Sequence, residues 1–594
     1  MNINEKKHYK MLDIIRVISC ILVLLYHLNL VKGGFLAVCT FFTLSGYLSC
    51  LSALKKEKFS IKDYYINRIK KLYIPLLVVV AITVILAKVI PGINWLNLKR
   101  ETISVALGYN NFWQLSANLD YFTRHVNSPF MHLWYISILM QFDLLFPIVF
   151  ALFKKIGEKT NKAIPTIIVA LLTIASTALF YYMSKTQDVM IVYYNTIARS
   201  FSLLLGVLIA LLYTKREIVK PKILNEFNGL IFFIYSIVLI ILSILVSAES
   251  SNYAIYMIIS SIITARLIRY ATIPKRNGRS SGSLDKIVEF ISKNSYEIYL
   301  VQYPVIFFMQ KVTLNNFVKI PLIILITVVV SCIIHAILDM KKNKALLKIV
   351  KSIIICALIG VSTYFVIVEK DYTSEMKELE NILNNNSKIT EEKNNQFKNE
   401  TQVTEPETQT EPEETQSREE IEAMVREKVR NLPVVGVGDS VMLGAADGLY
   451  EVFPNGYFDG LVSRSMAGGA DVLRELDAEG KLGDVVILAL ANNSDFFVWR
   501  IEELQEILEG KQIYWITAVL ADDPEFNDKF EVYAKDYPNI HIVEWEKESR
   551  DHPEYFYGDG IHLKGDGIPA YANLIYETIY NDYLQEYLNN NEEK

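Results

Sequence analysis

Long apolar runs fill the first 370 residues of the chain and are missing from the remainder. A helix needs roughly 20 consecutive apolar residues to cross the hydrocarbon core of a bilayer. Runs of that length recur near 11–30, 35–54, 72–90, 131–153, 163–184, 196–213, 228–247, 252–270, 290–310, 318–338 and 349–368. The pattern predicts a polytopic α-helical membrane domain of about eleven spans over residues 1–370. Lys293, Asn294, Glu297 and Gln302 interrupt the run at 290–310, which would let it lie partly in the interface.

Beyond residue 370 the pattern changes twice. From Asp371 to Glu420 the chain turns to Glu, Asn, Gln, Thr and Lys, including Thr404-Glu405-Pro406-Glu407-Thr408-Gln409-Thr410-Glu411-Pro412. Such a composition offers little apolar surface to bury, and predicts a disordered polar linker over 371–430 with a reach on the order of 40 Å. Then β-type and helical runs alternate. Strands are expected at Pro433–Val437, Phe458–Val462, Asp484–Leu490, Gln512–Thr517 and Ile540–Trp545. Helices are expected at Val441–Val452, Ala470–Glu479, Arg500–Leu508 and from about Ile568. This alternation implies an α/β domain over 431–594 with a parallel sheet, whose sites form at the carboxyl ends of strands.

Charge gives the membrane region a direction, because short loops rich in Lys and Arg stay cytoplasmic. Basic clusters precede the first run (Lys6, Lys7, Lys10) and follow the second (Lys55 to Lys71) and the fourth (Lys154, Lys155, Lys159, Lys162). Others follow the sixth (Lys215, Arg216, Lys220, Lys222), the eighth (Arg266, Arg269, Lys275, Arg276, Arg279) and the tenth (Lys341, Lys342, Lys344, Lys348, Lys351). An inside amino terminus and an odd number of spans place everything beyond 370 outside the cytoplasm. The first run ends in Lys32-Gly33-Gly34 without a small-residue cleavage site and reads as a retained helix.

Composition narrows the possibilities further. With 52% hydrophobic residues the 594-residue chain is too apolar for an ordinary soluble protein. All five cysteines (Cys20, Cys39, Cys50, Cys332, Cys356) lie in the apolar runs, so neither a disulfide framework nor a CxxC metal site is expected. The net charge of −5 combines basic inner loops with an acidic distal part, which leaves no footprint for nucleic acid.

Two constellations carry candidate chemistry. In the distal domain, Gly438-Asp439-Ser440 follows the first strand, and Asp559-Gly560-Ile561-His562 lies near the far end. A serine hydroxyl needs an imidazole to take its proton, and the imidazole needs a carboxylate to fix its tautomer. Either motif alone is a common turn or helix cap; their order and separation make the pairing informative. In the first membrane run, Arg16 and His27 are eleven residues apart. Helical geometry leaves them about 20° apart on one face and about 16 Å apart along it. An arginine inside a span normally faces a bundle interior or a watery cavity. The blander reading is an Arg snorkelling to the inner headgroups and a His capping the outer helix end. Arg199 is a further intramembrane cation or a helix-end marker.

The distal motifs resemble the GDS-containing SGNH hydrolase superfamily over roughly Pro433 to Asn591. The resemblance implies Ser440 as nucleophile, His562 as base and Asp559 as its orienter. Family members also use the asparagine of a Gly-x-Asn segment as an oxyanion donor. Here the segment reads Ala491-Asn492-Asn493, which places the donor at Asn493 with Asn492 as the alternative; the second-block glycine is not evident. Ser463-Arg464-Ser465 resembles the substrate-side segment of the cell-wall acetyltransferase branch, and Asn527 also fits that branch's pattern.

Leu12-Asp13-Ile14-Ile15-Arg16, His27, Phe41-Phe42-x-Leu44-Ser45-Gly46-Tyr47, Arg68, His132-Leu133-Trp134-Tyr135 and Ser295-Tyr296-x-Ile298-Tyr299-Leu300 resemble the acyltransferase-3 membrane family over approximately residues 8–340. The resemblance implies that Arg16 and His27 handle an acyl donor, acetyl-CoA, on the cytoplasmic side, with no tightly bound cofactor and no metal. Arginine suits phosphate by charge and fork geometry, and histidine suits proton or acyl handling. Where the family often has a histidine, this chain has Val301-Gln302.

The fusion resembles bacterial cell-wall O-acetyltransferases. It implies a Ser-His-Asp enzyme that moves acetyl across the lipid bilayer to a glycan hydroxyl, that of C6 of N-acetylmuramic acid in peptidoglycan. The rivals are a wall-glycan acetyl esterase, if water reaches the acyl-enzyme, O-acetylation of another surface polysaccharide, and a membrane anchor or transporter with a degenerate distal domain.

Overall fold

A computed structural model of the chain describes residues 10–91, 93, 95, 97–116, 128–161, 163–187, 189–214, 228–246, 252–272, 282–310, 312, 314–339, 345–399, 417–462, 464–493, 498–519 and 526–592. The basic residues at 6–7, 215–222, 275–279 and 341–344, the Thr404–Pro412 stretch and Ser463 lie outside the described residues. The chain divides into two compact units, Met1–Lys370 and Asp371–Lys594.

In the first unit, eight helices among the described residues are long and apolar enough to cross a membrane. They are Leu36–Leu54, Ile61–Val89, Met131–Lys159, Ile164–Thr186, Asn228–Leu245, Tyr253–Ala271, Asn316–Leu338 and Ile349–Val368. The other three expected spans are helices of a different character. Lys10–His27 carries Lys10, Asp13 and Arg16, and Ser283–Met309 carries Asp285, Lys286, Glu289, Lys293 and Glu297. Thr196–Leu212 is apolar but shorter. Among the described residues, eight of the eleven expected spans thus qualify by length and composition.

Apolar attraction cannot hold helices together in lipid, so close packing and polar contacts must do it. Leu36–Leu54 and Thr196–Thr214 approach through glycine. A Cβ on Gly46 would run into the Leu203 carbonyl, and one on Gly206 into the Thr43 carbonyl. Hydroxyl pairs tie neighbouring helices, Thr40 to Thr264 at 2.9 Å and Ser202 to Ser261 at 2.8 Å.

The second unit is built on a five-stranded parallel sheet of order β2-β1-β3-β4-β5. Its strands are β1 (Val435–Gly438), β2 (Tyr457–Gly460), β3 (Val485–Ala489), β4 (Gln512–Ile516) and β5 (Ile540–Val543), each within two residues of the expected bounds. The central strands β1 and β3 are buried throughout, as a sheet covered on both faces requires. One face packs on Met466, Leu473, Ile501, Leu504 and Phe530, the other on Leu449, Phe453, Ile575 and Ile579. The helix expected at Val441–Val452 is two pieces, Ser440–Gly444 and Ala446–Val452. A helix at Phe526–Ala534, between β4 and β5, was not expected.

The largest departure concerns residues 371–430. The segment expected to be a disordered linker holds two helices, Thr373–Asn399 and Arg418–Arg430, and residues 400–416 lie outside the described residues. Leu379, Leu383, Asn386 and Thr390 recur at i, i+4, i+7 and i+11 and are all buried. Half of that stripe is polar, so composition hid it. Arg418–Arg430 begins with a reciprocal capping box between Ser417 and Glu420 and buries Val425 and Val429.

Candidate active site

Ser440 stands two residues past β1, at the start of the short helix Ser440–Gly444. Asp439 is the N-cap of that helix, and its Oδ1 accepts from the Val441 N–H at 2.9 Å. A Cβ on Gly438 would meet the Met442 side chain, and one on Gly460, at the end of β2, the Leu443 main chain. Only glycine lets the strand ends pass this close to the serine turn.

The opposing turn is organised by one carboxylate. Asp559 Oδ1 accepts from the N–H groups of Ile561 (2.9 Å) and His562 (3.0 Å), and Gly560 takes a left-handed φ of +72° to close the turn. Asp559 Oδ2 is thereby aimed at His562 Nδ1, 2.7 Å away. The carboxylate can only accept, so Nδ1 carries the proton and Nε2 keeps its lone pair. That lone pair meets Ser440 Oγ at 2.9 Å. Ser440, Asp559 and His562 are all buried, at 6, 5 and 5% exposure, which keeps water from competing for these bonds.

Burial alone would raise the Asp559 carboxyl, but the electrostatic attraction of the His562 ring and the hydrogen bonds from that ring and the turn hold it below its ordinary value. Asp439 goes the other way. Burial pushes its carboxyl up, against hydrogen bonds from Asn492 and the main chain. Asn492 Nδ2 donates to Asp439 Oδ2 at 2.9 Å and Asn493 Nδ2 to the same oxygen at 3.3 Å. Both candidate oxyanion donors are thus moored to the residue beside Ser440, and each amide retains a second N–H.

Arg464 is buried and bonded internally. Its guanidinium reaches the carbonyls of Gly438 and Asp459 and pairs with Asp459 Oδ1 at 2.7 Å. It ties the carboxyl ends of β1 and β2 together. Asn527 clasps Ala518 through both N–H and C=O, at 3.1 and 2.7 Å, a loop-fixing role.

In the first unit, Arg16 and His27 lie on the helix Lys10–His27. Arg16 Nη1 donates to Ser292 Oγ at 3.3 Å and stands 3.6 Å from Asp13 Oδ1, while Ser292 Oγ donates to that same oxygen at 2.7 Å. His27 meets aromatic rings, with Tyr303 at 5.1 Å and His132 at 5.9 Å between centroids. His132 stacks on Tyr303 at 5.2 Å, and Tyr299 OH donates to the His132 carbonyl at 2.6 Å. Segments far apart in sequence thus converge near His27.

Arg199 is fully buried and does not mark an exposed helix end. It faces the rings of Tyr193 (4.9 Å), Trp134 (5.5 Å), Phe42 (5.6 Å) and Phe180 (5.8 Å), and the sulfurs of Cys39 and Met257. Arg68 pairs with Asp143 at 3.1 Å, and Tyr64 OH donates to the same carboxylate at 2.5 Å. Asp143 is the lone carboxylate inside the apolar run 131–153, and a carboxylate in such a run is itself a signal.

Residues 9–336 match the model of the acyltransferase domain family. Over 604 aligned residues the chain is 27% identical to the O-acetyltransferase OatA of Staphylococcus aureus strain MRSA252, covering 96% of this chain and 95% of that one. OatA of strain NCTC 8325 / PS 47 is 26% identical with the same coverage. Among solved structures, similarity extends to the C-terminal catalytic domain of the Streptococcus pneumoniae peptidoglycan O-acetyltransferase A with a methylsulfonyl adduct. That match has 22% identity and a TM-score of 0.23 over 26% of this chain and 94% of the other.

Proposed function

The chain belongs to the acyltransferase domain family, and from that premise we propose that it is a transmembrane O-acetyltransferase acting on an extracytoplasmic wall glycan. The observation that carries the reading is the hydrogen-bonded series Ser440–His562–Asp559, joined in one chain to the acyltransferase-family membrane helices. The similarity to OatA proteins over nearly the whole chain supports the same pairing of halves. The protein is a multi-pass membrane protein.

In this reading acetyl-CoA supplies acetyl on the cytoplasmic side, where Arg16 engages phosphate through its fork and His27 handles the acyl group. The second unit stands outside the cytoplasm. There Ser440 Oγ attacks the arriving acetyl carbonyl while His562 Nε2 takes its proton, and Asp559 stabilises the imidazolium. The amide of Asn493, or of Asn492, steadies the oxyanion. The imidazolium gives its proton to the leaving group, which departs with the electrons of the broken bond. A glycan hydroxyl then attacks acetyl-Ser440, His562 removes its proton, and Ser440 leaves as the hydroxyl. The acceptor is peptidoglycan, at the C6 hydroxyl of N-acetylmuramic acid.

Analysis of wall glycans for alkali-labile acetate, in cells with and without the gene, tests the reading. Acetate on N-acetylmuramic acid should vanish with the gene and return with the wild-type chain but not with Ser440→Ala. Unchanged acetate in the deletion would refute the assignment, and an increase would favour the esterase.

A further inference from the structure

The helix Thr373–Asn399 grips both halves of the serine site. Helix ends leave carbonyls without intrahelical partners, and a buried end must find donors elsewhere. Asn386 Nδ2 supplies them to the serine helix, donating to the carbonyls of Leu443 at 2.9 Å and Gly444 at 3.3 Å. Two turns further on, Asn394 bonds both main-chain groups of Phe458 on the edge strand β2, accepting from its N–H at 3.2 Å and donating to its carbonyl at 2.9 Å. An edge strand left open invites foreign pairing, and this asparagine closes it. Phe397 packs on Tyr457, Lys393 lies over the Tyr450 ring, and Lys398 pairs with Glu475.

The other grip lies just before the helix. The Tyr372 ring fills the space where a Cβ on Gly558 would stand, so a methyl group there would penetrate it. Gly558 immediately precedes Asp559, and the Tyr557 N–H bonds the His562 carbonyl at 2.8 Å across the same turn. Tyr372 is therefore a floor beneath the turn that aims the carboxylate and the imidazole.

We infer that Tyr372, with the helix that follows it, is a positioning residue of the serine site, holding the Asp559–His562 turn in register with the Ser440 turn. Proton transfer from Ser440 depends on the 2.9 Å approach of His562 Nε2. A displacement near 1 Å in such a geometry costs about 10²-fold in rate. The glycine at 558 and the tyrosine at 372 belong to one device, and the compact unit that holds the site begins at Asp371. The inference rests on the proposed serine chemistry for its kinetic readout, but not for its structural one.

The test uses the full-length protein in nanodiscs. Acylation of Ser440 by an activated acetate ester is followed by mass spectrometry, and amide exchange is followed at residues 556–563. Tyr372→Ala should lower the saturating acylation rate at least tenfold with KM for the ester little changed, and should speed exchange in the turn. Gly558→Ala should do the same by collision with the ring, and adding it to Tyr372→Ala should cost little further, because the ring it would strike is gone. Arg418→Ala, which breaks an exposed ion pair with Glu422 on the helix Arg418–Arg430, should match wild type in both readouts. Wild-type exchange in Tyr372→Ala, or a Gly558→Ala penalty as large in the Tyr372→Ala background as in the wild type, would overturn the inference. Absence of any Ser440 adduct in the wild type would count against the proposed function instead, and the exchange comparison would still decide this one.

Discussion

His562 Nε2 lies 2.9 Å from Ser440 Oγ although 122 residues of chain separate the two. The sheet makes that meeting possible, because it delivers Ser440 at the end of its first strand, where parallel sheets gather their sites. The second unit, Asp371–Lys594, should fold alone and form an acetyl adduct on Ser440 from an activated ester. Mass spectrometry should find no adduct in Ser440→Ala. His562→Ala should slow acylation by several orders of magnitude, since members of such a set act as a unit.

Asp559→Asn should keep the turn but offer His562 an amide that can present the wrong tautomer, with a loss of about 10⁴ in rate. Its stability signature is equally specific. The Asp559 carboxyl is held below its ordinary value in the folded protein, so its contribution is fully present above the unfolded value, about 3.9. It fades as pH falls below that and through the folded value. Urea denaturation should therefore find wild type more stable than Asp559→Asn at pH 7, with the gap closing below about pH 4. A gap independent of pH would show that the carboxylate charge is not what stabilises the turn.

The two asparagines separate by their hold on Asp439. Asn492 makes the shorter bond, 2.9 Å against 3.3 Å for Asn493. Asn493→Ala should cost about 10²–10³ in the saturating rate, the usual loss for an oxyanion donor. Asn492→Ala should mainly lower the unfolding midpoint. The reverse pattern in kcat and midpoint would exchange their roles.

What the sequence disclosed, and what it hid, follows from how each feature is written. The meeting of Ser440, Asp559 and His562 was legible because a serine, a carboxylate and an imidazole stand in two short motifs in a set order. The strands were legible because β1 and β3 are continuous apolar runs buried on both faces. Thr373–Asn399 was not, because Asn386 and Asn394 sit on its inward face to bond main-chain groups, which no hydrophobic pattern records. Arg464 lies in a segment that resembles the substrate side of a known branch, and its guanidinium bonds Gly438 and Asp459, a contact that requires the ends of β1 and β2 to be neighbours first. Arg16 was read against phosphate, and its hydrogen bond to Ser292 crosses 276 residues.

Orientation has a direct check. Ser387 is exposed on the helix Thr373–Asn399, and every native cysteine lies in the first unit. Ser387→Cys should react with a membrane-impermeant thiol reagent in intact cells, above the wild-type background. Labelling only after lysis would place the second unit in the cytoplasm and remove the transfer model with it.

The final prediction separates the two reaction centres. If His27 serves the donor and Ser440 the acceptor, His27→Ala should abolish wall acetylation in cells yet leave the isolated second unit fully active with a soluble acetyl ester. Ser440→Ala should fail in both assays. Arg16→Lys is the sharper probe, because it keeps the charge but loses the planar fork. Arg16 is already bound to Ser292 and stands beside Asp13, so its guanidinium is held in one orientation by the protein itself. A prearranged fork implies a geometric role, and Arg16→Lys should lose most wall acetylation at normal expression. Retention of acetylation in that variant would assign Arg16 a role of charge alone. Normal acetylation in His27→Ala would mean that acetyl reaches Ser440 by a route that bypasses the membrane half.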